Sequence, residues 1–140
     1  MSEDNVEVVR RAFAAYAERG IEAVLPFYSE DIVLYSVPEW PDDSEYHGHE
    51  GAMKLERQWT ENVDEFGFEV QALHDAGDSV VATTEMVGRI KGTRDPITQR
   101  IGMLSWDFQD GRIRRVRYFT SWALALEAAG LHEQAAHERE

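Results

Sequence analysis

The chain of 140 residues carries a formal net charge of −13, has a hydrophobic share of 43% and contains no cysteine. That composition is typical of one globular domain, and the lack of cysteine excludes disulfides and thiolate chemistry. Nucleic acids and anionic membrane surfaces would repel so acidic a protein, which argues against both as partners. No apolar run approaches the ~20 residues that cross a bilayer, and the acidic start is unlike a secretory signal. We therefore expect a cytoplasmic protein.

Helical and strand patterns alternate in the first third of the chain. Apolar residues at three- and four-residue spacing predict an amphipathic helix over residues 3–19. A second, short helix over 21–28 follows at once, with Pro26 restricting its length. The β-branched and aromatic run over 32–35 then predicts a strand.

The next segment, 37–47, combines two prolines with several acidic residues and Trp40, and this composition predicts a loop. A tryptophan on such a loop could act as a lid over a pocket mouth, so Trp40 is a candidate pocket residue. From Gly48 to about Asp64 the apolar spacing becomes helical again, with Met53, Leu55, Trp59 and Val63 as the apolar positions.

The second half of the chain has the pattern of a meander of four antiparallel strands followed by a closing helix. The Asp110–Gly111 pair between two apolar runs is a strong hairpin signal. With the closing helix at 122–131, we predict a single domain over 1–131 and a polar tail over 132–140. Helices gathered before a meander define an α+β fold, and a long twisted antiparallel sheet tends to curl around such helices. The four strands are predicted at 68–75, 80–90, 98–108 and 113–121.

Several short stretches span nearly the whole chain in a fixed order, at 8–13, 20–23, 28–32, 46–51, 108–113 and 125–131. Together with the order of elements, they resemble the SnoaL-like branch of the nuclear transport factor 2-like superfamily. The resemblance implies a cone-shaped α+β barrel with a pocket between sheet and helices, and a homodimer formed through the sheet. It does not select one reaction, because the family includes isomerase-like, epoxide hydrolase-like and polyketide cyclase members beside binding modules.

Two of these chemistries lack their residues in this sequence. A ketosteroid isomerase-like site needs a tyrosine and two carboxylates, and the matching positions hold Ala12, Ser36 and Met103. An epoxide hydrolase-like site needs an Asp–Arg–Asp relay, yet no Asp stands in the stretch 119–121, where SnoaL-like relatives often carry one. Both departures argue against these two reactions.

A cyclase-like reaction requires less machinery, since one acid/base group and oriented hydrogen bonds can close a ring by an intramolecular aldol step. Glu85, in the middle of a predicted strand, is the preferred acid/base residue, with Arg117 as its partner and His49 as a further candidate. Each has a structural alternative. Glu85 could face solvent or form an ion pair, and His49 could simply begin a helix.

Aromatic and apolar side chains from several elements are candidates for the pocket lining, although packing in the core would explain most of them equally well. An apolar pocket with one or two polar anchors would suit a small hydrophobic molecule. The predicted lining residues are Tyr16, Tyr35, Trp40, Trp59, Met103 and Phe119.

No metal or cofactor is predicted, because His47 and His49 lie two residues apart without a third ligand nearby. The leading hypothesis is a domain that binds a small hydrophobic molecule, with acid/base chemistry of cyclase or hydrolase type. The first rival is a non-catalytic homodimeric module that binds a ligand or a protein. The second is a structural domain whose pocket is filled by side chains.

Overall fold

A computed structural model describes residues 2–37 and 44–131 of the chain. The helices in these residues are α1 (Ser2–Arg19), α2 (Ile21–Val24), α3 (Gly48–Thr60) and α4 (Trp122–Ala128), with a 3₁₀ turn at Leu25–Phe27. The strands are β1 (Tyr28–Tyr35), β2 (Glu45–His47), β3 (Val63–Asp75), β4 (Ser79–Ile90), β5 (Pro96–Gln109) and β6 (Arg112–Phe119). None of these described helices is long and apolar enough to cross a bilayer.

The strands form one open sheet in the order β2-β1-β6-β5-β4-β3. All neighbouring pairs are antiparallel except β1 and β6, which run parallel. A parallel pair cannot be closed by a tight hairpin, and α3 together with four strands separates β1 from β6 in the chain. The sheet is therefore mixed, and its two edges are β2 and β3.

One face of the sheet, here called the inner face, is covered by α1 and α3. The register of β3 against β4 shifts between Asp64 and Gly67 and again between Val70 and Ala72. Such bulges bend a strand and increase its twist, which curves the sheet around the helices. The main core lies between these layers and contains fully buried aliphatic side chains from α3 and the sheet: Ile32, Leu34, Leu55 and Ile101.

The opposite, outer face carries α4. Val81 of the sheet and Ala125 and Leu126 of the helix belong to a second, smaller cluster of buried residues. The indole N–H of Trp122 donates a hydrogen bond to the backbone carbonyl of Thr84 at 2.8 Å. These contacts hold α4 on the outer face of the sheet, opposite α1 and α3.

The predicted α+β class is confirmed, although the sheet is open rather than closed into a barrel. The predicted hairpin at Asp110–Gly111 is also present. Both residues have positive φ, and Gln109 pairs directly with Arg112, as a two-residue turn requires.

Several element boundaries differ from the predicted ones. The second helix stops at Val24, because the chain tightens into the 3₁₀ turn and Tyr28 already pairs with β6. The short strand β2 lies in a segment predicted as loop, where it pairs with the end of β1. The third helix ends at Thr60, and β3 begins at Val63 because that residue pairs with Ile90 at the end of β4.

The contact between α4 and the sheet leaves no room for a side chain at Gly102. A Cβ atom there would lie 2.5 Å from the Cβ of Ala125 and 3.3 Å from the carbonyl oxygen of Ser121. We expect Gly102→Ala to lower the free energy of unfolding by about 1–3 kcal/mol, the usual cost of overpacking. The matched control is Gly67→Ala, whose Cβ would meet only a methyl group of Val87 at 4.0 Å. Urea denaturation of both variants checks this, and equal stabilities would contradict the described packing of α4.

Candidate functional site

A cavity of about 60 Å³ lies between the inner face of the sheet and the N-terminal helices. This volume is several times the ~10–15 Å³ that a single water needs, so the space suits a compact ligand rather than a large one. Its lining is mostly apolar, with tyrosines, one serine and one glutamate among the lining residues. The aliphatic and small residues of the lining are Val9, Ala12, Ile21, Val24, Met103, Ile113 and Val116.

The aromatic part of the lining is a connected set of rings from four elements. Trp59 of α3 packs edge-on against Tyr118 and Phe68, with ring centroids 4.9 and 5.7 Å apart. Phe68 also lies 5.8 Å from Tyr16 and 6.5 Å from Phe13 of α1. All five rings line the cavity, which gives it an aromatic wall.

One carboxylate lines this cavity, that of Glu56 on α3. The hydroxyl of Tyr16 donates a hydrogen bond to it and lies 2.9 Å from both carboxylate oxygens. Glu56 occupies the same helix face as the buried residues Ala52 and Leu55 and the cavity residue Trp59, at helical spacing. The helix therefore directs its carboxylate inward, where Tyr16 of α1 is its partner.

Burial changes the acid/base properties of this pair. Desolvation raises the pKa of Glu56, and the hydrogen bond from Tyr16 partly opposes that rise. Desolvation also raises the pKa of Tyr16, and the nearby carboxylate of Glu56 adds to the shift. Tyr16 is thus a neutral hydrogen-bond donor, and Glu56 is a carboxyl group that binds a proton more readily than an exposed glutamate does.

A second pair of hydroxyls lines the same cavity. The hydroxyls of Tyr28 on β1 and Tyr118 on β6 are hydrogen-bonded to each other. Burial raises the pKa of Tyr28 to about 12 and that of Tyr118 well above its ordinary value. The polar groups of the cavity are therefore neutral hydroxyls and one carboxyl group, an arrangement that can orient a ligand and exchange a proton with it.

The predicted pocket residues separate into three groups. Tyr16, Trp59 and Met103 line the cavity. Tyr35 stacks on Trp106 with ring centroids 5.9 Å apart, and it does not line the cavity. Phe119 packs with the α4 cluster on the outer face. Trp40, predicted as a lid, lies outside the described residues.

The predicted catalytic pair, Glu85 and Arg117, lies on the outer face. Glu85 lies between Thr84 and Met86, which both point to the inner face. Across the sheet it pairs with Arg100, whose guanidinium lies over the ring of Trp122 in α4. The side chain of Glu85 therefore shares the α4 face, because neighbouring strand residues point to opposite sides. This position corrects the expectation that Glu85 faces the pocket.

Arg117 is not a partner of Glu85. Across the sheet, Arg117 pairs with Leu104 of β5, and Leu104 pairs in turn with Val81 of β4. Val81 is four residues before Glu85 on the same strand, a separation of about 13 Å along β4. The guanidinium of Arg117 instead lies 4.7 Å from the ring centroid of Tyr35. The structure thus separates the two residues that the sequence interpretation paired.

His49 has a structural contact near the start of α3. Its Nε2 atom lies 3.1 Å from the carbonyl oxygen of Tyr28, which links the helix to β1, and it does not line the cavity. His47 lies 3.2 Å from Glu45 at the surface. Within residues 2–37 and 44–131, no three His, Asp or Glu side chains group as metal ligands would.

Sequence reasoning missed Glu56, although a signal was present. The interpretation placed Met53, Leu55, Trp59 and Val63 on the apolar face of the third helix. The buried face instead contains Ala52 and Leu55, so Glu56 follows directly on the apolar stripe. A charged residue on the buried stripe of an amphipathic helix is uncommon and indicates either a partner or a site.

The raised pKa of Glu56 predicts the sign of its effect on stability. The folded state favours the protonated form of Glu56. Ionisation of this carboxyl group therefore destabilises the folded protein as the pH rises from about 4.5, the ordinary pKa of a glutamate, through the higher pKa of Glu56 in the folded state. We therefore expect Glu56→Gln, which still accepts from Tyr16, to raise the Tm at about pH 8 and to match the wild type at about pH 4. Glu50→Gln is the control, since this exposed carboxylate in the first turn of α3 favours the helix when ionised.

Differential scanning calorimetry across this pH range measures both variants. A Tm at pH 8 that is lower for Glu56→Gln than for the wild type would contradict a desolvated carboxylate in the cavity. A rise of the same size in Glu50→Gln would show that the effect comes from net charge and not from burial.

Comparison with known proteins agrees with this architecture. A hypothetical protein from Catenulispora acidiphila with a ketosteroid isomerase-like fold, crystallised in complex with trimethylamine, matches with a TM-score of 0.69 and 18% identity over 89% of this chain and 93% of that chain. An NTF2-like protein from Burkholderia thailandensis matches with a TM-score of 0.74 and 22% identity over 90% and 96% of the two chains. A protein from Jannaschia sp. CCS1, designated a SnoaL-like polyketide cyclase, has a TM-score of 0.71 and 19% identity over 92% of each chain.

At these identities the likeness to solved structures shows the fold alone, and no curated protein matches the chain significantly. The family model of the SnoaL-like domain matches residues 9–116, which is most of the chain and includes the cavity-lining parts of α1, α3, β3 and β5. The protein therefore belongs to the SnoaL-like domain family of the NTF2-like superfamily.

Proposed function

We propose that this protein binds a compact, largely apolar small molecule in the cavity between α1, α3 and the inner face of the sheet. The observation that carries the proposal is a half-buried carboxyl group, Glu56, in a cavity whose wall is otherwise aromatic and aliphatic. Ligand sites commonly have this composition, with a mostly apolar lining and a few polar groups that fix orientation. Members of this family bind small molecules and include isomerases and cyclases, which supports the proposal.

An acid/base step in this cavity is assigned to Glu56. It is the carboxyl group among the described lining residues, and its raised pKa brings proton exchange closer to neutral pH. Tyr16 positions it, while Tyr28 and Tyr118 are neutral donors on the same cavity. A cyclase- or hydrolase-like reaction in this protein would therefore use a helix carboxylate and tyrosine hydroxyls in place of Glu85 and Arg117.

A homodimer formed through the outer face of the sheet is the second part of the proposal. Tyr35 and Trp106 stack there with an interplanar angle of 13°, and the guanidinium of Arg117 lies over Tyr35. Aromatic residues and arginine are enriched in protein interfaces. This aromatic surface belongs to the end of the sheet where β1, β6 and β5 meet, whereas α4 covers the part near Gly102.

The cytoplasmic location expected from the sequence stays a prediction.

Filling the cavity tests ligand binding. Ala12 is buried on α1 and lines the cavity, so Ala12→Leu places three additional carbon atoms in it. Indole, cyclohexanone and choline sample neutral aromatic, neutral aliphatic and cationic ligands. We expect at least one of them to raise the Tm of the wild type and to lose that effect in Ala12→Leu. The matched control Ala128→Leu, at an exposed position of α4, should keep it. A shift that survives in Ala12→Leu would place the ligand elsewhere.

Charge reversal on the outer face tests the homodimer. Arg117→Glu introduces an acidic group beside Tyr35 and should shift the protein toward monomer in sedimentation equilibrium. Arg94→Glu changes the net charge equally at an exposed turn between β4 and β5, and it should leave the association unchanged. A wild-type protein that sediments as a monomer at micromolar concentration would contradict this part of the proposal.

A further inference from the structure

We propose that the cavity selects a compact organic cation, such as a methylated ammonium group, with Glu56 as its counter-ion. This inference rests on the proposed function, because it names the chemical class of ligand for the same cavity. Its two independent supports are the aromatic wall and a carboxylate that has no cationic partner within residues 2–37 and 44–131.

The first support is the charge balance around Glu56. Within residues 2–37 and 44–131, no Lys, Arg or His side chain forms an ion pair with this carboxylate, and its described partner is the neutral hydroxyl of Tyr16. The other polar side chains of the lining are tyrosines and Ser105, which carry no charge. A desolvated carboxylate is costly without a positive partner, and a cationic ligand would supply one.

The second support is the aromatic wall. Trp59, Phe68 and Tyr118 all line the cavity. The ring centroid of Trp59 lies 4.9 Å from that of Tyr118 and 5.7 Å from that of Phe68. Tyr16 and Phe13 extend this wall on α1. A cation within ~6 Å of an aromatic centroid is attracted by the ring quadrupole, and quaternary ammonium groups are recognised by cages of such rings. A ligand in so small a cavity would lie within reach of several of these rings at once.

The size and overall charge of the protein agree with this class. A cavity of about 60 Å³ suits a compact head group better than an extended skeleton. The net charge of −13 attracts cations and repels anions over the range of the Debye length. A neutral molecule of the same shape would satisfy the apolar wall but would leave Glu56 without a counter-ion.

Isothermal titration calorimetry with an isosteric pair of ligands tests the inference. Choline carries a trimethylammonium group, and 3,3-dimethylbutan-1-ol has the same shape with carbon in place of the charged nitrogen. We expect choline to bind the wild type at least about tenfold more tightly, a difference of ~1.4 kcal/mol. Glu56→Gln should remove most of this preference, because it deletes the charge while keeping the size and the acceptor for Tyr16. The control Glu50→Gln, on the same helix but exposed, should bind choline as the wild type does.

Each other outcome overturns the inference in a distinguishable way. Equal or tighter binding of 3,3-dimethylbutan-1-ol would show that the cavity binds ligands but does not select a cation, and the proposed function would stand. Choline binding that survives in Glu56→Gln but fails in Glu50→Gln would place the cation on the surface of α3. If neither compound binds at millimolar concentration, the cation class is wrong. The Ala12→Leu comparison with indole and cyclohexanone then decides whether the cavity binds any ligand.

Discussion

The hydrogen bond from Tyr16 to Glu56 joins the two helices that cover the inner face of the sheet. A carboxyl group on the buried stripe of α3 is tolerated only with a partner, since an unpaired polar group in an apolar setting costs free energy. α1 supplies that partner from the next turn after Ala12. The same pair lines the cavity and prevents the space between the helices from being purely apolar.

The second constraint is the alternation of side chains along the strands. Met103 and Ser105 line the cavity, while Leu104 between them packs with α4 on the other face. The same rule places Glu85 and Arg117 outside, however suitable their chemistry looked. Function on the inner face is therefore restricted to the strand residues that point inward and to the inward stripes of α1 and α3. Within β6 the inward parity changes, because Ile113, Val116 and Tyr118 all line the cavity.

Much of the fold could be predicted from the sequence, because helical spacing, strand patterns and the Asp110–Gly111 turn are local signals. The strand β2 could not, since it depends on pairing with β1 and its segment contains only a few extended residues. The site was harder still. Alternation shows that Glu85 lies opposite Thr84 and Met86, but only the packing of α4 shows which of the two faces is the outer one. Glu56 is not apparent from the sequence because the pattern puts Met53 on the apolar face of α3, whereas the buried residue is its neighbour Ala52.

Methyl NMR of ¹³C-labelled methionine during a titration with choline tests most directly whether the ligand enters the cavity. Met103 lines the cavity, whereas Met53 lies in a surface groove beside α3. We expect the methyl signal of Met103 to shift in a saturable manner while that of Met53 stays in place. A titration that moves Met53 and leaves Met103 unchanged would contradict the interior cavity as the binding site.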